Sequence, residues 1–356
     1  MGQNRVGIIG AGHIARSHAR VWKAEAVLTA VCSRQYYRAE QLAKEFGIPV
    51  ICSEADDLMA RDDVDIICIA TPHHLHHPFA IKAAEAGKHV FCEKPMALNA
   101  AQARDMWERG CKRGVKTGIQ FSQRFRWPSL IYLREIVRKG DLGKIRHFEG
   151  SWAFDWAKSP AHPMSWRFRR HEAGTGALGD LGVYMIDAAR WLVGEIDGVC
   201  GHLETVIKQR PVIKEQYNFA ELRQMQEDEA LPTPTETASV ENDDICTVLI
   251  RFQNGAHGII RANRMQRFNA IRVEGTEGVC TWDLQSAKLF HRPHGRESFA
   301  EVTIPTRISS STMVSQFLAN IRDDSDLPPT FYDGLKVQEV IDAAVRSNEE
   351  RRWINA

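Results

Sequence analysis

The stretch Gly7-Ile8-Ile9-Gly10-Ala11-Gly12-His13-Ile14-Ala15 runs from a short apolar segment through a glycine turn into an amphipathic segment. Gly10 allows a tight turn, Gly12 allows the backbone to approach a pyrophosphate, and the small Ala15 allows close helix–strand packing. The helix that starts at His13 and Ile14 offers backbone N–H donors and a positive dipole end to phosphate. The stretch therefore predicts a dinucleotide-binding βαβ unit.

Short apolar strands alternate with amphipathic helices around this stretch, up to about residue 122. Such alternation indicates a doubly wound parallel sheet that is covered by helices on both faces. We therefore expect an α/β Rossmann domain over residues 1–122. The predicted strands are Val6–Ile9, Leu28–Cys32, Ile66–Ala70, His89–Cys92 and Lys116–Gln120, and the predicted helices include His13–Lys23, Arg38–Phe46, Pro78–Ala86 and Ala100–Arg113.

The remainder of the chain, residues 123–356, has a different pattern. A helix over Pro128–Lys139 precedes a series of strand-like runs, and Gln253-Asn254-Gly255 is a hairpin signal between two of them. We expect an α+β domain with a mostly antiparallel sheet. The polar stretch Gln209–Asp243 is expected to be a long excursion with a short helix around Phe219–Gln226, and the helix Leu335–Glu350 is expected to pack on the first domain.

Composition excludes several classes of partner. Among 356 residues, 46 basic and 45 acidic side chains give a net charge of +1, so no electrostatic footprint indicates nucleic acid or an anionic membrane. No apolar run approaches the length of a membrane span, and no secretory signal precedes the first strand. The eight cysteines occur singly, which favours free thiols. We expect a cytoplasmic protein that binds a small molecule.

The residues after the second strand bear on the choice of cofactor. NAD-binding Rossmann domains usually carry an acidic residue there for the ribose 2′-hydroxyl. Here Leu28–Cys32 is followed by Ser33 and Arg34, which suit a 2′-phosphate. NADP(H) is therefore favoured, and NAD(H) remains possible if Arg34 is only a solvated loop residue.

The run Thr71-Pro72-His73-His74-Leu75-His76-His77-Pro78 is rich in histidine, but four imidazoles in an extended turn do not converge on one ion. We expect no metal here. The run is better interpreted as a βα turn beside the cofactor, with Thr71 and Pro72 in contact with it and His76 holding the next helix.

Phe91-Cys92-Glu93-Lys94-Pro95 places a lysine at the end of a predicted strand of the same sheet. Ligands of open parallel sheets lie beyond the carboxyl ends of the strands, so Lys94 is a catalytic candidate and Glu93 a neighbour of the cofactor. In the second domain, Asp180 and Tyr184 are four residues apart and Asp187 is three further, on one helical stripe. In the alternative, purely structural interpretation, Asp180 is a helix N-cap, Tyr184 is a core residue and Asp187 is a solvated charge.

These segments, together with Ala173–Gly194, resemble the glucose–fructose oxidoreductase, inositol dehydrogenase and rhizopine-catabolism (Gfo/Idh/MocA) family over essentially the whole chain. The resemblance implies an NAD(P)-dependent oxidoreductase that transfers a hydride between nicotinamide and a carbinol carbon of a sugar, cyclitol or related polyol. It also implies that residues 123–356 form a large open, mostly antiparallel sheet that serves substrate binding and oligomerisation as a homodimer or homotetramer. A cleft between the domains and a cis peptide bond at Lys94-Pro95 are implied as well. Lys94, Asp180 and Tyr184 would bind and convert the substrate.

The resemblance also extends to residues around the cleft. Trp166 and Arg167 resemble a pair that reaches the cofactor from the second domain, and Arg124 lies just past the last Rossmann strand. Phe154 and His162, with Trp152 and Trp156, could form a wall for sugar stacking, although such aromatic residues are as often core. We expect substrate contacts from Arg124, Phe154 and His162.

The sequence leaves open which residue transfers the proton, and it leaves two alternative functions. Many members of the family have histidine where Tyr184 stands, so either Lys94 or Tyr184 could transfer the proton. Some relatives use a bound NAD for transient oxidation and cleave a glycosidic bond, which makes an NAD-dependent glycosidase an alternative. The other alternative is a catalytically silent regulator that senses a dinucleotide. The intact Lys94, Asp180 and Tyr184 argue against this alternative.

Overall fold

The structure is a computed structural model that describes residues 3–213, 217, 222, 224–225 and 236–356. Within these residues, the chain is built on two large β-sheets and one two-stranded ribbon. The first large sheet uses strands from the N-terminal third of the chain, and the second uses strands from the rest.

The first sheet is parallel throughout its described strands and has the order β3-β2-β1-β4-β5-β6. These strands are β1 (Arg5–Ile9), β2 (Val27–Cys32), β3 (Val50–Cys52), β4 (Ile66–Ile69), β5 (His89–Cys92) and β6 (Thr117–Ile119). The direction of winding reverses between β1 and β4. Because ligands of such sheets bind at this switch point, the carboxyl ends of β1, β4 and β5 define the expected cleft.

Helices cover both faces of this sheet, which explains why its central strands are almost wholly apolar. They are α1 (His13–Glu25), α2 (Tyr36–Phe46), α3 (Ala55–Met59), α4 (His76–Glu85) and α5 (Ala100–Arg113). In α1 the buried residues Ala15, His18, Ala19 and Trp22 follow helical spacing, so one stripe of the helix faces the sheet.

The second sheet is mixed and mostly antiparallel. The later strands of the chain are β7 (Ile145–Ala153), β8 (Ile196–Glu204), β9 (Gln209–Val212), β10 (Glu236–Ser239), β11 (Ile245–Phe252), β12 (His257–Asn263), β13 (Ala270–Gly275), β14 (Gly278–Asp283), β15 (Lys288–Pro293), β16 (Ala300–Glu301) and β17 (Ile354–Asn355). Among the described residues, β9 pairs with β10, and the other nine form the order β16-β15-β14-β13-β7-β12-β11-β8-β17. Strands β7 and β12 are parallel neighbours.

Helices of the second half connect the two sheets. They are α6 (Gln123–Arg126), α7 (Pro128–Lys139), α8 (Arg170–Ala173), α9 (Val183–Leu192), α10 (Met313–Arg322) and α11 (Phe331–Glu350). Helix α10 returns to the first sheet, where the Phe317 ring lies 5.4 Å from that of Phe91. Helix α11 packs against both α5 and β8, and α9 packs against β7 and α11. The second half of the chain is therefore fixed to the Rossmann sheet by buried helices.

The predicted fold class is confirmed, and the errors concern individual elements. We did not predict the three-residue strand β3, strands β15 and β16, or helix α10. The excursion Gln209–Asp243 begins and ends in the ribbon strands β9 and β10. The short helix predicted around Phe219–Gln226 lies largely outside the described residues.

Candidate functional site

The glycine turn after β1 has the geometry that a pyrophosphate needs. Gly10 has a φ of 109°, and a Cβ there would lie 2.3 Å from the carbonyl oxygen of Ala70. A Cβ at Gly12 would meet no atom within 4 Å, so its backbone faces open space. No side chain caps the start of α1 at Gly12, and the first turn has no acidic residue. The backbone N–H groups of His13 and Ile14 therefore fit a phosphate ligand.

At the carboxyl end of β2, Ser33 is half-buried and Arg34 is exposed. Arg38, one turn into α2, donates from Nε to the hydroxyl oxygen of Tyr37 at 2.9 Å and lies over the Tyr37 ring. This rim of the sheet therefore carries hydroxyl and guanidinium groups where NAD-binding domains usually carry a carboxylate.

The histidine-rich turn after β4 is structural. His76 lies in hydrogen-bond distance of two carbonyl oxygens, 2.8 Å from Pro95 O and 3.0 Å from Thr71 O. His73 Nδ1 lies 3.0 Å from the carbonyl oxygen of Ala173. Among the residues that the structure describes, no three His, Cys, Asp or Glu side chains are arranged to hold a metal ion. The turn instead connects the ends of β4 and β5, and the buried hydroxyl of Thr71 has no protein partner beside the cleft.

Lys94 stands at the centre of the candidate site. Its Nζ donates to the carbonyl oxygen of Asp180 at 2.7 Å and to Asp180 Oδ1 at 3.0 Å. The same ammonium lies 4.7 Å from the centroid of the Tyr184 ring. The Lys94-Pro95 peptide bond is cis. The structure thus brings together Lys94 from the first sheet and Asp180 and Tyr184 from the second half of the chain.

Asp180 lies in a turn of π-helix, Leu178–Gly182, that leads directly into α9. Isolated π-helical turns are rare and frequently occur at functional sites. The carboxylate of Asp243 holds the start of this turn by accepting from the N–H groups of Gly176 at 2.6 Å and Leu178 at 2.8 Å. A Cβ at Gly176 would lie 1.8 Å from the carbonyl oxygen of Asp243, so this close approach requires glycine.

The electrostatic environment sets the charge of each group in the Lys94 cluster. Burial alone would lower the pKa of Lys94, but Asp180, Tyr184 and Glu93 outweigh it and raise that pKa above its usual range. Burial would raise the pKa of Asp180, but Lys94, Arg167 and His73 hold it below its usual range. Burial raises the pKa of Tyr184 to about 12, although Lys94 opposes the shift. At neutral pH the cluster is therefore an ammonium, a carboxylate and a neutral phenol.

Trp166 and Arg167 reach across the cleft from the second half of the chain. The Trp166 ring lies 4.6 Å from the His73 ring at a steep angle, and the Arg167 guanidinium lies 4.4 Å from the Trp166 ring centroid. Burial lowers the pKa of Arg167, and the Asp180 carboxylate opposes this. Burial and then Arg167 lower the pKa of His13. Arg167 is therefore close enough to interact with both Asp180 and the start of α1.

The predicted aromatic wall divides into two groups. Trp152 lies 5.5 Å from the Tyr184 ring and 5.9 Å from the Phe154 ring, so these rings form a row beside the Lys94 cluster. His162 is buried elsewhere, with its ring 5.4 Å from Trp156 and 5.8 Å from Phe168. The structure therefore brings Phe154, and not His162, toward the Lys94 cluster.

Arg124 corrects another expectation. Its side chain is buried, with Nε donating to Asp187 at 3.0 Å and Nη2 donating to Asp333 at 2.9 Å. Burial would lower the pKa of Arg124, but these two carboxylates raise it. The guanidinium is thus engaged in an ion-pair network that joins α6, α9 and α11. Asp187, although on the stripe of Tyr184, belongs to the same network.

Two buried residues near the site were not singled out from the sequence: His18, whose Nε2 lies 2.7 Å from Glu93 Oε1, and Asp243. His18 did carry a signal, because a histidine stood on a stripe of α1 that is otherwise apolar. Asp243 carried none, because its partners at Gly176 and Leu178 are more than sixty residues away.

Hydride transfer requires a dinucleotide held at a fixed place and a proton donor or acceptor beside the reacting carbon. The β1–α1 turn and Lys94, which follows β5, meet these requirements at one carboxyl edge of the first sheet, with β4 between the two strands. This arrangement defines the protein as a dinucleotide-dependent oxidoreductase. Residues 4–121 match the family model described as "Oxidoreductase family, NAD-binding Rossmann fold", and residues 130–281 match the "GFO/IDH/MocA C-terminal domain". The chain belongs to the GFO/IDH/MocA oxidoreductase family.

Two curated relatives align with nearly the full chain. Levoglucosan dehydrogenase of Pseudarthrobacter phenanthrenivorans is 29% identical, with 98% of this chain and 97% of the relative covered. Inositol 2-dehydrogenase of Rhizobium meliloti is 26% identical, with 99% and 98% covered. A solved structure of levoglucosan dehydrogenase in complex with NADH and L-sorbose is 27% identical and superposes with a TM-score of 0.88, covering 100% of this chain and 99% of that one. This chain is thus an oxidoreductase that acts on CH–OH groups.

Proposed function

We propose that the protein is an NAD(P)-dependent dehydrogenase or reductase that interconverts a carbinol and a carbonyl group of a sugar, anhydrosugar or cyclitol. The observation that carries the proposal is the Lys94 cluster, in which the Lys94 ammonium contacts the Asp180 carboxylate and the Tyr184 ring at the carboxyl edge of the first sheet. We take residues 1–122 as the cofactor-binding unit and residues 123–356 as the substrate-binding unit.

The residues around the glycine turn fit the cofactor. Gly12 faces open space, its position as N-cap of α1 supplies no capping side chain, and the hydroxyl of Thr71 has no protein partner, so this region has room and polar groups for a ligand. A bound nicotinamide would accept or return the hydride of the carbinol carbon. The residues that we propose for holding the cofactor are Gly10, Gly12, His13, Ile14, Ser33, Arg34, Thr71, Pro72, His76, Glu93, Lys94, Trp166 and Arg167, with His76 acting through the turn that it holds.

In the carbinol-to-carbonyl direction, the C–H bond breaks with loss of hydride, and the hydroxyl proton must leave to a protein group or to water. Asp180 accepts a hydrogen bond from a substrate hydroxyl and so orients it. In the reverse direction the Lys94 ammonium donates its proton to the oxygen that receives negative charge. Because the pKa of Lys94 is raised, this side chain is an ammonium in the free protein, and Tyr184 is a neutral phenol. The proton that the reverse step needs is therefore already present on Lys94.

The surroundings of the Lys94 cluster suit a ring-shaped polyol. The row of Phe154, Trp152 and Tyr184 offers an apolar surface on which the C–H face of a sugar can lie, next to the polar groups of Asp180 and Lys94. The relatives named above act on levoglucosan or inositol according to their names, and one was solved with L-sorbose. These names support the substrate class and leave the individual sugar open.

The test is a screen of the purified protein with NAD⁺ and NADP⁺ against sugars, anhydrosugars, inositols and glycosides. We expect carbinol-dependent formation of reduced nicotinamide with at least one member of the panel. Release of sugar from a glycoside without net change in nicotinamide absorbance would instead establish the glycosidase. Dinucleotide binding without any turnover would favour the regulator.

We further propose a preference for NADP(H), which Ser33 and the exposed Arg34 support. The double variant Ser33→Asp/Arg34→Leu should reverse the preference, because a carboxylate repels the 2′-phosphate and accepts from the 2′-hydroxyl. The measurement is kcat/KM for each cofactor. A wild-type preference for NAD by about tenfold or more, equal to about 1.4 kcal/mol, would contradict this assignment.

We also propose a homodimer or homotetramer formed through the outer face of the second sheet. Leu249, Ile259, Glu149 and Arg272 are neighbours in register across β11, β12, β7 and β13, and Leu249 is 44% exposed. The opposite face carries the buried core residues of the sheet. Sedimentation of wild type and of Leu249→Glu would test the proposal. A monomeric wild type at micromolar concentration would refute it.

A further inference from the structure

A buried pair of ionisable side chains lies behind Lys94, on the face of the sheet that α1 covers. His18 Nε2 lies 2.7 Å from Glu93 Oε1, and the two side chains are only 2% and 8% exposed. The other carboxylate oxygen, Glu93 Oε2, accepts from the backbone N–H of Lys94 at 3.1 Å. One carboxylate thus joins the helix that starts at the glycine turn to the peptide that carries Lys94.

The packing around the pair leaves it little freedom. The His18 ring meets the Phe91 ring at 5.7 Å and 76°, and Phe91 in turn contacts the ring of Trp22 on α1. Neighbouring elements add the titratable groups that face the pair or Lys94, namely Cys68, His73, His76, Arg167, Asp180 and Tyr184. The Glu93 carboxylate therefore contacts the His18 ring through one oxygen and the backbone N–H of Lys94 through the other.

We propose that His18 is a positioning residue for the reaction at Lys94. As an imidazolium it cancels the charge of Glu93 and, through that carboxylate, holds the peptide of Lys94 against helix α1. This role rests on the proposed function, because it concerns the proton that Lys94 exchanges with the substrate.

The electrostatics of the pair support a charged His18. Burial alone would lower the pKa of His18, but the contacts with Cys68 and Glu93 raise it to about 10. Burial would raise the pKa of Glu93, but His18 and Lys94 lower it. Without the imidazolium, the full charge of Glu93 would act on Lys94 and raise the pKa of the lysine further. Lys94 would then be a poorer acceptor of the carbinol proton.

The first test needs no substrate. Full-length protein labelled with ¹⁵N-histidine is examined by NMR at about pH 8.5, where an ordinary imidazole with a pKa near about 6.5 is neutral. We expect one histidine with both ring nitrogens protonated, and its signals should disappear in His18→Gln. If the signals that vanish in His18→Gln belong to a neutral imidazole, the proposal is wrong.

The second test separates charge from packing. His18→Gln keeps a donor for Glu93 but removes the charge, and we expect kcat to fall about tenfold with its pH dependence displaced to higher pH. In the double variant His18→Gln/Glu93→Gln the negative charge of Glu93 is absent as well. The kcat of this double variant should therefore be within about threefold of that of Glu93→Gln alone. Trp22→Phe is the matched control on the same face of α1, and it should lower Tm without displacing the pH profile.

Two results would show that His18 only packs the helix and would overturn the proposal. One is a double variant in which the losses of kcat from the two single substitutions multiply. The other is a pH profile of kcat that is displaced in Trp22→Phe as it is in His18→Gln. Dinucleotide affinity is measured for every variant, so that a change in cofactor binding is not mistaken for a change in proton transfer. If wild type oxidises no carbinol, the proposed function fails and this role fails with it. The NMR result would then still decide whether the buried pair is charged.

Discussion

Replacing Lys94 by Met tests the centre of the proposed mechanism. Met retains an unbranched stem that fills the same space, but it removes the ammonium and both of its hydrogen bonds to Asp180. The charge that develops on the substrate oxygen then has no cation beside it. We expect kcat to fall by about 100-fold or more, equal to at least about 2.7 kcal/mol of lost transition-state stabilisation.

The same substitution should also reduce stability in a defined pH window. The Asp180 side chain is only 19% exposed, and without Lys94 it keeps Arg167 as a cationic neighbour. Allowing for this partial exposure, we expect the free energy of unfolding to fall by about 1–3 kcal/mol at pH 7. Because Lys94 holds the pKa of Asp180 below its usual range, this contribution is present above the unfolded pKa of about 3.9 and is lost at lower pH. The difference between wild type and variant should therefore stay nearly constant from about pH 7 to about pH 5 and shrink as the pH falls below about 4.

Lys116→Met is the matched control. The Lys116 side chain is 13% exposed, close to the 12% of Lys94, and it also pairs with carboxylates, Asp324 at 2.9 Å and Asp326 at 3.4 Å. Those partners are exposed and lie away from the Lys94 cluster, so kcat should not change and the loss of stability should be small. The assays are steady-state turnover and urea unfolding at several pH values. Near-normal turnover in a folded Lys94→Met protein would remove Lys94 from the chemistry.

Three further predictions follow from the site. Tyr184→Phe keeps ring packing, so kcat should fall about 100-fold if the phenol exchanges the proton, whereas an increase in KM alone would make it a substrate contact. Gly12→Ala should weaken dinucleotide binding in titration calorimetry and leave Tm unchanged. Gly10→Ala should lower Tm, because its Cβ would lie 2.3 Å from the carbonyl oxygen of Ala70. Equal stability of the two variants would contradict this prediction. Because the pKa of Lys94 is raised and that of Tyr184 is about 12, both groups stay protonated from about pH 6 to 9. The rate of carbinol oxidation should therefore rise over this range, and the rate of carbonyl reduction should stay level. An oxidation rate that falls over this range would refute the assignment.

What the sequence predicted well is local. The glycine turn, the lysine at the end of β5 and the spacing of Asp180 and Tyr184 each lie within a few residues, where turn chemistry and helical periodicity act directly. The strands with strong apolar patterns were located to within one to three residues at their ends, whereas three-residue β3 and the edge strand β16 carry too little pattern to detect.

The remaining features depend on contacts between distant parts of the chain. His18 meets Glu93 across 75 residues, and Arg124 meets Asp333 across 209. Residue type alone left Arg124 open to a substrate role, because a guanidinium at the end of a Rossmann strand suits either an anion in the cleft or a buried carboxylate. Only the positions of α9 and α11 decide between them, and those positions follow from packing of the whole chain.

The Arg124 network also explains how the two halves of the site keep their distance. Lys94 belongs to the first sheet, whereas Tyr184 is carried by α9. Asp187, one turn beyond Tyr184, is held by Arg124 of α6, and Arg124 is held in turn by Asp333 of α11. Helix α11 packs on α5 of the Rossmann sheet. A shift of α9 relative to that sheet would separate buried charges, which costs several kcal/mol, so the network fixes the phenol beside the ammonium without touching either group.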